Sequence, residues 1–141
     1  MNEDRGERTA QDANLEAALR YLHAVERRAV GDELAAFYAP DVVQEEFPNR
    51  LVPNGARRGL ADLLAGAERG QSLMSAQTYD VQSALADGDR VVAELIWTGT
   101  LAVAFGALPV GHTMRAHIAM VLEFRDGRIA AQRNYDCYEP F

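Results

Sequence analysis

Apolar positions recur at two different spacings along the chain, and the change falls near its middle. From Asn14 to Val30, the residues Leu15, Ala18, Leu19, Leu22, Val25 and Ala29 repeat at helical intervals and form one stripe. Asp12 or Asn14 can cap the start of this helix, and Gly31 suits its end. Asp32 can cap a second short helix reaching Tyr38, which Ala39-Pro40 stops because proline disfavours helix at the residue before it. DVVQEEF, Asp41 to Phe47, reads as a short strand, and PNRLVPNGARRG, residues 48–59, as a loop. Leu60 to Glu68 reads as a third helix, with Gly70 as its stop.

The second half follows a period of two. Ser75–Ala86, Arg90–Leu101, His112–Phe124 and Arg128–Tyr138 are predicted as long strands. Asp87-Gly88-Asp89 and Asp126-Gly127 are hairpin turns, because Asp-Gly tolerates positive φ. Residues 102–111, with Phe105, Gly106 and Pro109, read as a longer connection or a bulged bend. Helices followed by consecutive antiparallel strands define an α+β fold in which the sheet curls around the helices. Residues 1–13 carry no apolar pattern and read as a disordered or loosely ordered tail ahead of a single domain over 14–141.

Composition narrows the function classes. Of 141 residues, 48% are apolar and 25% charged, which suits one globular core. The net charge of −7 argues against nucleic acid or an acidic membrane as partner. No apolar run is long enough to span a membrane and the N-terminus lacks a signal-peptide core, so the expected location is cytoplasmic. Cys137 is the single cysteine, which excludes an intrachain disulfide and a cysteine-based zinc site. His23, His112 and His117 show no metal spacing, and there is no phosphate-binding glycine loop or GxSxG. No metal or cofactor is therefore expected.

The strand near Met114 alternates well. Met114, Ala116, Ile118, Met120, Leu122 and Phe124 make an apolar face, and Arg115, His117 and Glu123 sit on the other. The last strand is harder to divide. Arg133 resists burial, which favours Gln132, Asn134 and Asp136 facing inward, but Ile129 and Tyr135 pull the other way. Alternation alone leaves that choice even. Cys137 falls on the face opposite Asp136, so a thiol nucleophile is not expected.

RYLHAVERRAVGDELAAFYAPDVVQEEFPN, IWTGT at Ile96–Thr100 and the closing FRDGRIAAQRNYDCYEP together resemble the nuclear transport factor two-like, or SnoaL-like, superfamily. The resemblance covers the chain after its N-terminal tail. It implies a cone-shaped barrel, a curved and mostly antiparallel sheet wrapped around three N-terminal helices, with an apolar pocket between them. It also implies a homodimer formed through the sheet. The superfamily includes ketosteroid isomerases, polyketide cyclases, epoxide hydrolases, dehydratases and non-catalytic modules. The isomerase base position falls on Glu46, with Glu45 beside it, and the cyclase aspartate on or close to Asp136, which tips Asp136 inward. The isomerase's two oxyanion donors fall nearest Ala24 and Met120, and neither side chain can donate. The epoxide hydrolase arginine has only Arg115 as a counterpart, on the outward face.

On this reading the pocket is lined by Trp97, Met114, Ile118, Met120, Leu122 and Phe124, with Tyr138 near the C-terminus. These side chains suit a small apolar ligand. Asp136 is the candidate acid/base group, with Glu46 second and Asn134 as an orienting or oxyanion-binding amide. A carboxylate in such a pocket is desolvated, so its pKa rises towards neutrality. That suits proton removal next to a carbonyl, as in cyclisation, isomerisation or dehydration. The competing expectation is a ligand-binding or dimerisation module whose cone is filled by Met114, Met120, Phe124 and residues 138–141. Tyr21, Tyr38 and His23 are expected near the pocket mouth, with His23 on a helix flank.

Overall fold

The structure, a computed structural model, describes residues 2–141, with side chains from Arg5 onward. Helix α1 spans Asn2–Glu26, α2 Gly31–Ala35 and α3 Leu60–Leu73. The strands are β1 (Tyr38–Glu46), β2 (Ala56–Arg58), β3 (Met74–Asp87), β4 (Arg90–Leu101), β5 (Thr113–Arg125) and β6 (Arg128–Tyr138). They form one six-stranded sheet in the order β2-β1-β6-β5-β4-β3. Every pairing is antiparallel except β1 with β6. The fold is α+β, with the sheet curled around the helices into an open cone.

Helix α1 runs through the segment that carries no apolar pattern, although Met1 lies outside the described residues. Residues 5–10 are exposed, and Asn14 is the first buried side chain. From there Ala18, Tyr21, Leu22 and Ala24 enter the core with Leu95, Leu122 and Ile129 from the sheet. The helix ends earlier than Gly31. Ala29 N–H bonds to the Ala24 carbonyl and Arg28 N–H to that of Val25, the pattern of a left-handed C-terminal cap. Arg28 occupies the capping position at φ +62°. Glycine would take that conformation at about 1 kcal/mol less.

Other boundaries move for identifiable reasons. Helix α2 stops at Ala35, and β1 begins at Tyr38, ahead of Pro40. Proline fits because the β1–β6 register slips between Tyr38 and Val43, so this stretch is not a regular ladder. Residues 56–58, expected as loop, pair with β1 as an edge strand, Gln44 opposite Arg58. Three residues are too few to show a period. Helix α3 passes through Gly70 to Leu73 and feeds directly into β3.

Strand β5 buries Met114, Ala116, Met120, Leu122 and Phe124 and exposes Arg115 and His117, as its alternation predicts. Strand β6 contains the feature that made it ambiguous. Phe124 lies opposite Ile129 but Glu123 opposite Ala131, so Ala130 is an extra residue, a bulge. Ile129 on one side of it and Gln132 on the other are both about 1% exposed. Beyond the bulge Asn134, Asp136 and Tyr138 share the inner face. Tyr135 and Arg133 face out, Tyr135 stacked on Phe47 and Arg133 donating to Glu123.

Candidate functional site

The inner face of β6 meets that of its neighbours in a short polar row set among apolar side chains. Asp136 lies opposite Ile118, and Asn134 lies between Met120 of β5 and Glu46 of β1. Trp97 on β4 is held by its indole N–H, which donates to Gln77 Oε1 at 3.1 Å. Gly99 makes room for that indole, since a Cβ there would sit 2.3 Å from the Trp97 ring. Tyr138 meets Trp97 edge to face at 6.1 Å, and Phe141 meets Tyr138 in the same way.

These residues enclose a cavity of about 330 Å³, walled on the helix side by Arg28, Ala67, Gly70 and Leu73. Gly70, where a helix stop was expected, is a piece of wall with no side chain. Seven of the expected residues line the cavity: Glu46, Asn134, Asp136, Trp97, Ile118, Met120 and Tyr138. Met114, Leu122 and Phe124 share the inner face but are packed in the core and do not reach it. The cone is therefore not plugged by Met114 and Phe124. Tyr138 packs on Trp97 as one side of the cavity, and Phe141 packs on Tyr138.

Asp136 is the most unusual group in it. Among the described residues, Asp136 Oδ1 is the one buried side-chain oxygen or nitrogen with no protein hydrogen-bond partner. Burial pushes the Asp136 pKa up from the ordinary 3.8 to about 6; the neighbouring charge of Glu46 adds to the rise, and Arg58 opposes it. Glu46 itself is tied down. Its Oε1 accepts from Arg58 at 2.9 Å and its Oε2 from the Asn49 amide at 2.7 Å. Arg58 also donates to Gln44 Oε1 at 3.2 Å. Glu46→Gln is expected to lower the Asp136 titration midpoint by removing a like charge, read as an acid-ward shift of the Asp136 carboxyl signal in an NMR pH titration.

Asn134 is oriented from behind by a chain of buried groups. Tyr21 O–H donates to Gln132 Oε1 at 3.0 Å, and Gln132 Nε2 donates to Asn134 Oδ1 at 3.0 Å. The Tyr21 and Tyr38 hydroxyls are 2.6 Å apart. Tyr21 has spent its one proton on Gln132, so Tyr38 donates to Tyr21. Burial raises the pKa of both tyrosines and keeps them protonated. With its carbonyl engaged, Asn134 is left with its amide N–H groups as donors beside Asp136. Tyr21 and Tyr38 are thus buried structural partners rather than residues of a pocket mouth, and His23 is exposed on a helix flank. Gln132, Arg58 and Arg28 carry no role in the sequence reading. Gln132 is visible only as a polar residue in an inward position, and the other two carry no local signal at all.

The outward residues stay outside. His117 and Arg115 both contact Glu139, and Cys137 is exposed. No three His, Cys, Asp or Glu side chains gather as a metal site among the described residues. No described helix is long and apolar enough to cross a membrane.

Comparison with known proteins agrees with the architecture. The model of the SnoaL-like domain family matches residues 18–132. AclR from Streptomyces galilaeus, proposed to be a hydroxylase, superposes with a TM-score of 0.76 at 22% identity, over 92% of this chain and 82% of its own. IdmH from Streptomyces antibioticus, proposed to be a polyketide cyclase, gives 0.70 at 24% identity over 87% and 91%. An epoxide hydrolase from M. tuberculosis, like limonene-epoxide hydrolase, gives 0.71 at 20% over 89% and 84%. At these identities the likeness is one of fold. No curated protein matches the chain in sequence.

Proposed function

This chain belongs to the SnoaL-like domain family, and we propose that it is a cofactor-free enzyme acting on a small apolar carbonyl compound held in the cone. Asp136 is the acid/base group, and Asn134 donates to the oxygen that becomes negative as a proton leaves the adjacent carbon. The observation that carries this reading is Asp136 itself: a carboxylate with an unpartnered buried oxygen, raised to about 6, on the wall of an apolar cavity. A base poised there is ionised at neutral pH yet strong enough to take a carbon-bound proton. The amide of Asn134 is preorganised by Gln132, so it need not reorient as charge develops. The cavity volume of about 330 Å³ suits a ligand of two or three fused rings. Cyclisation, isomerisation and dehydration all begin with this proton transfer, and a structural neighbour proposed as a polyketide cyclase is compatible with it. The alternative of a module whose cone is filled by its own side chains is disfavoured by the open cavity.

The test needs no native substrate. In D₂O at pH 7, 2-tetralone exchanges its acidic α-protons, and the exchange is followed by NMR. The parent protein is expected to speed it over buffer, and Asp136→Asn to lose roughly 10²–10⁴ of that acceleration. Equal acceleration by both would refute Asp136 as the base.

The same reading includes a homodimer through the outer sheet face. Leu85 and Val92 pair across that face and are 71% and 38% exposed, and Tyr135 is 45% exposed. Sedimentation at micromolar concentration is expected to give twice the chain mass; a monomer would contradict it.

A further inference from the structure

Resting on the apolar-ligand reading of the cavity, we propose that its ligand carries an anionic group, a carboxylate in the simplest case, received by Arg28. Three side chains with formal charge line the cavity: Glu46, Asp136 and Arg28. Glu46 is paired with Arg58. Arg28 is different. Its Nη1 donates to the Met74 carbonyl at 2.6 Å, and no carboxylate pairs with it among the described residues. A guanidinium has five N–H donors, so most of its donor edge is uncommitted. In a chain of net charge −7, a cation without an acidic partner on an apolar wall is out of keeping with its surroundings.

The backbone fixes where this cation is held. Arg28 takes the left-handed capping conformation at the end of α1, where glycine is the favoured residue. Its carbonyl accepts from Gln71 of α3 and its guanidinium donates to the carbonyl of Met74, the first residue of β3. A branch from α1 is thereby fixed beside the helix-side wall formed by Ala67, Gly70 and Leu73. Arg28 belongs to the helix-side wall of the cavity and Asp136 to strand β6 of the sheet. The ligand then has its carbonyl carbon at Asp136 and Asn134, an apolar body against Trp97 and Met120, and its anion at Arg28. A fork of two parallel N–H donors matches a carboxylate, whereas a neutral amide gains much less from it.

Calorimetric titration of 2-naphthylacetate against its neutral isostere 2-naphthylacetamide tests this at pH 7.5. The parent is expected to bind the acid roughly five- to tenfold more tightly than the amide, the size of a partly exposed charge-assisted contact. Arg28→Gln is expected to erase the preference by weakening the acid alone. Arg28→Gly, which suits the positive φ, should fold well and do the same. Equal binding of acid and amide by the parent, or a preference that survives in both Arg28 variants, would overturn the proposal while leaving the apolar pocket standing. Binding of neither compound would overturn both.

Discussion

Asp136→Asn is expected to make the protein more stable at pH 8 while removing its proton-transfer activity. In the folded chain Asp136 holds its proton up to about pH 6, against 3.8 for an ordinary aspartate. Between those values the native state binds more protons than the unfolded state, so stability falls as pH rises through this window. Below about pH 4 the group costs nothing, and above about 6 it exerts its full cost. A shift of that size corresponds to roughly 1–2 kcal/mol after discounting for partial exposure. Asparagine fills the same space without ionising. Its melting temperature at pH 8 is therefore expected about 3–6 °C above the parent's. The gain should vanish near pH 4. A variant of equal or lower stability at pH 8 would mean that Asp136 is not an unfavourably buried charge.

Gln132→Met is expected to be the most destabilising single change at the site. Gln132 is 1% exposed and joins two partners, Tyr21 on α1 and Asn134 on its own strand. Methionine preserves much of the volume but leaves the Tyr21 donor buried, and the Asn134 acceptor half-buried, without a partner. Each costs about 1–3 kcal/mol, so a loss of roughly 2–4 kcal/mol is expected. The melting temperature should fall by roughly 6–12 °C. Tyr21→Phe removes the same Tyr21–Gln132 bond from the other end. The Tyr21→Phe/Gln132→Met double variant should therefore cost less than the sum of the two singles. Strict additivity would show that the chain of hydrogen bonds is not a unit. Proton transfer should fall with Gln132→Met while the Asp136 midpoint stays in place, because Asn134 loses its orientation and Asp136 keeps its charge environment.

The parts of this arrangement that were legible in the sequence share a physical property: their signal is local and repeated. Strand β5 alternates over many residues with one face buried, so its inner face can be read directly. The Asp-Gly turns depend on two residues. Strand β6 could not be read in the same way, because one extra residue at Ala130 reverses the parity and puts Ile129 and Gln132 on one face. Resemblance to cyclases of the fold resolved Asp136 where alternation could not. Met114, Leu122 and Phe124 read as pocket residues in the sequence because period two gives a face, not a depth. They are packed in the buried core and not along the cavity wall. Arg58 and Arg28 were invisible for another reason. One lies on a three-residue edge strand and the other on a helix cap, and their positions depend on contacts distant in sequence. The left-handed cap at Arg28 in particular had Gly31 as a more attractive competitor nearby.

The structure also explains why acidity at this site is divided. Glu46 has an arginine and an asparagine as direct partners, whereas Asp136 has an oxygen with none. Two carboxylates in one cavity are thereby given different environments, and burial raises the pKa of the one whose oxygen lacks a partner, Asp136. The test with the fewest assumptions is a pH titration of the Asp136 carboxyl carbon by NMR, assigned by comparison with Asp136→Asn. The account predicts a midpoint near 6, moving to lower pH in Glu46→Gln. A midpoint near 4, unchanged by Glu46→Gln, would contradict it.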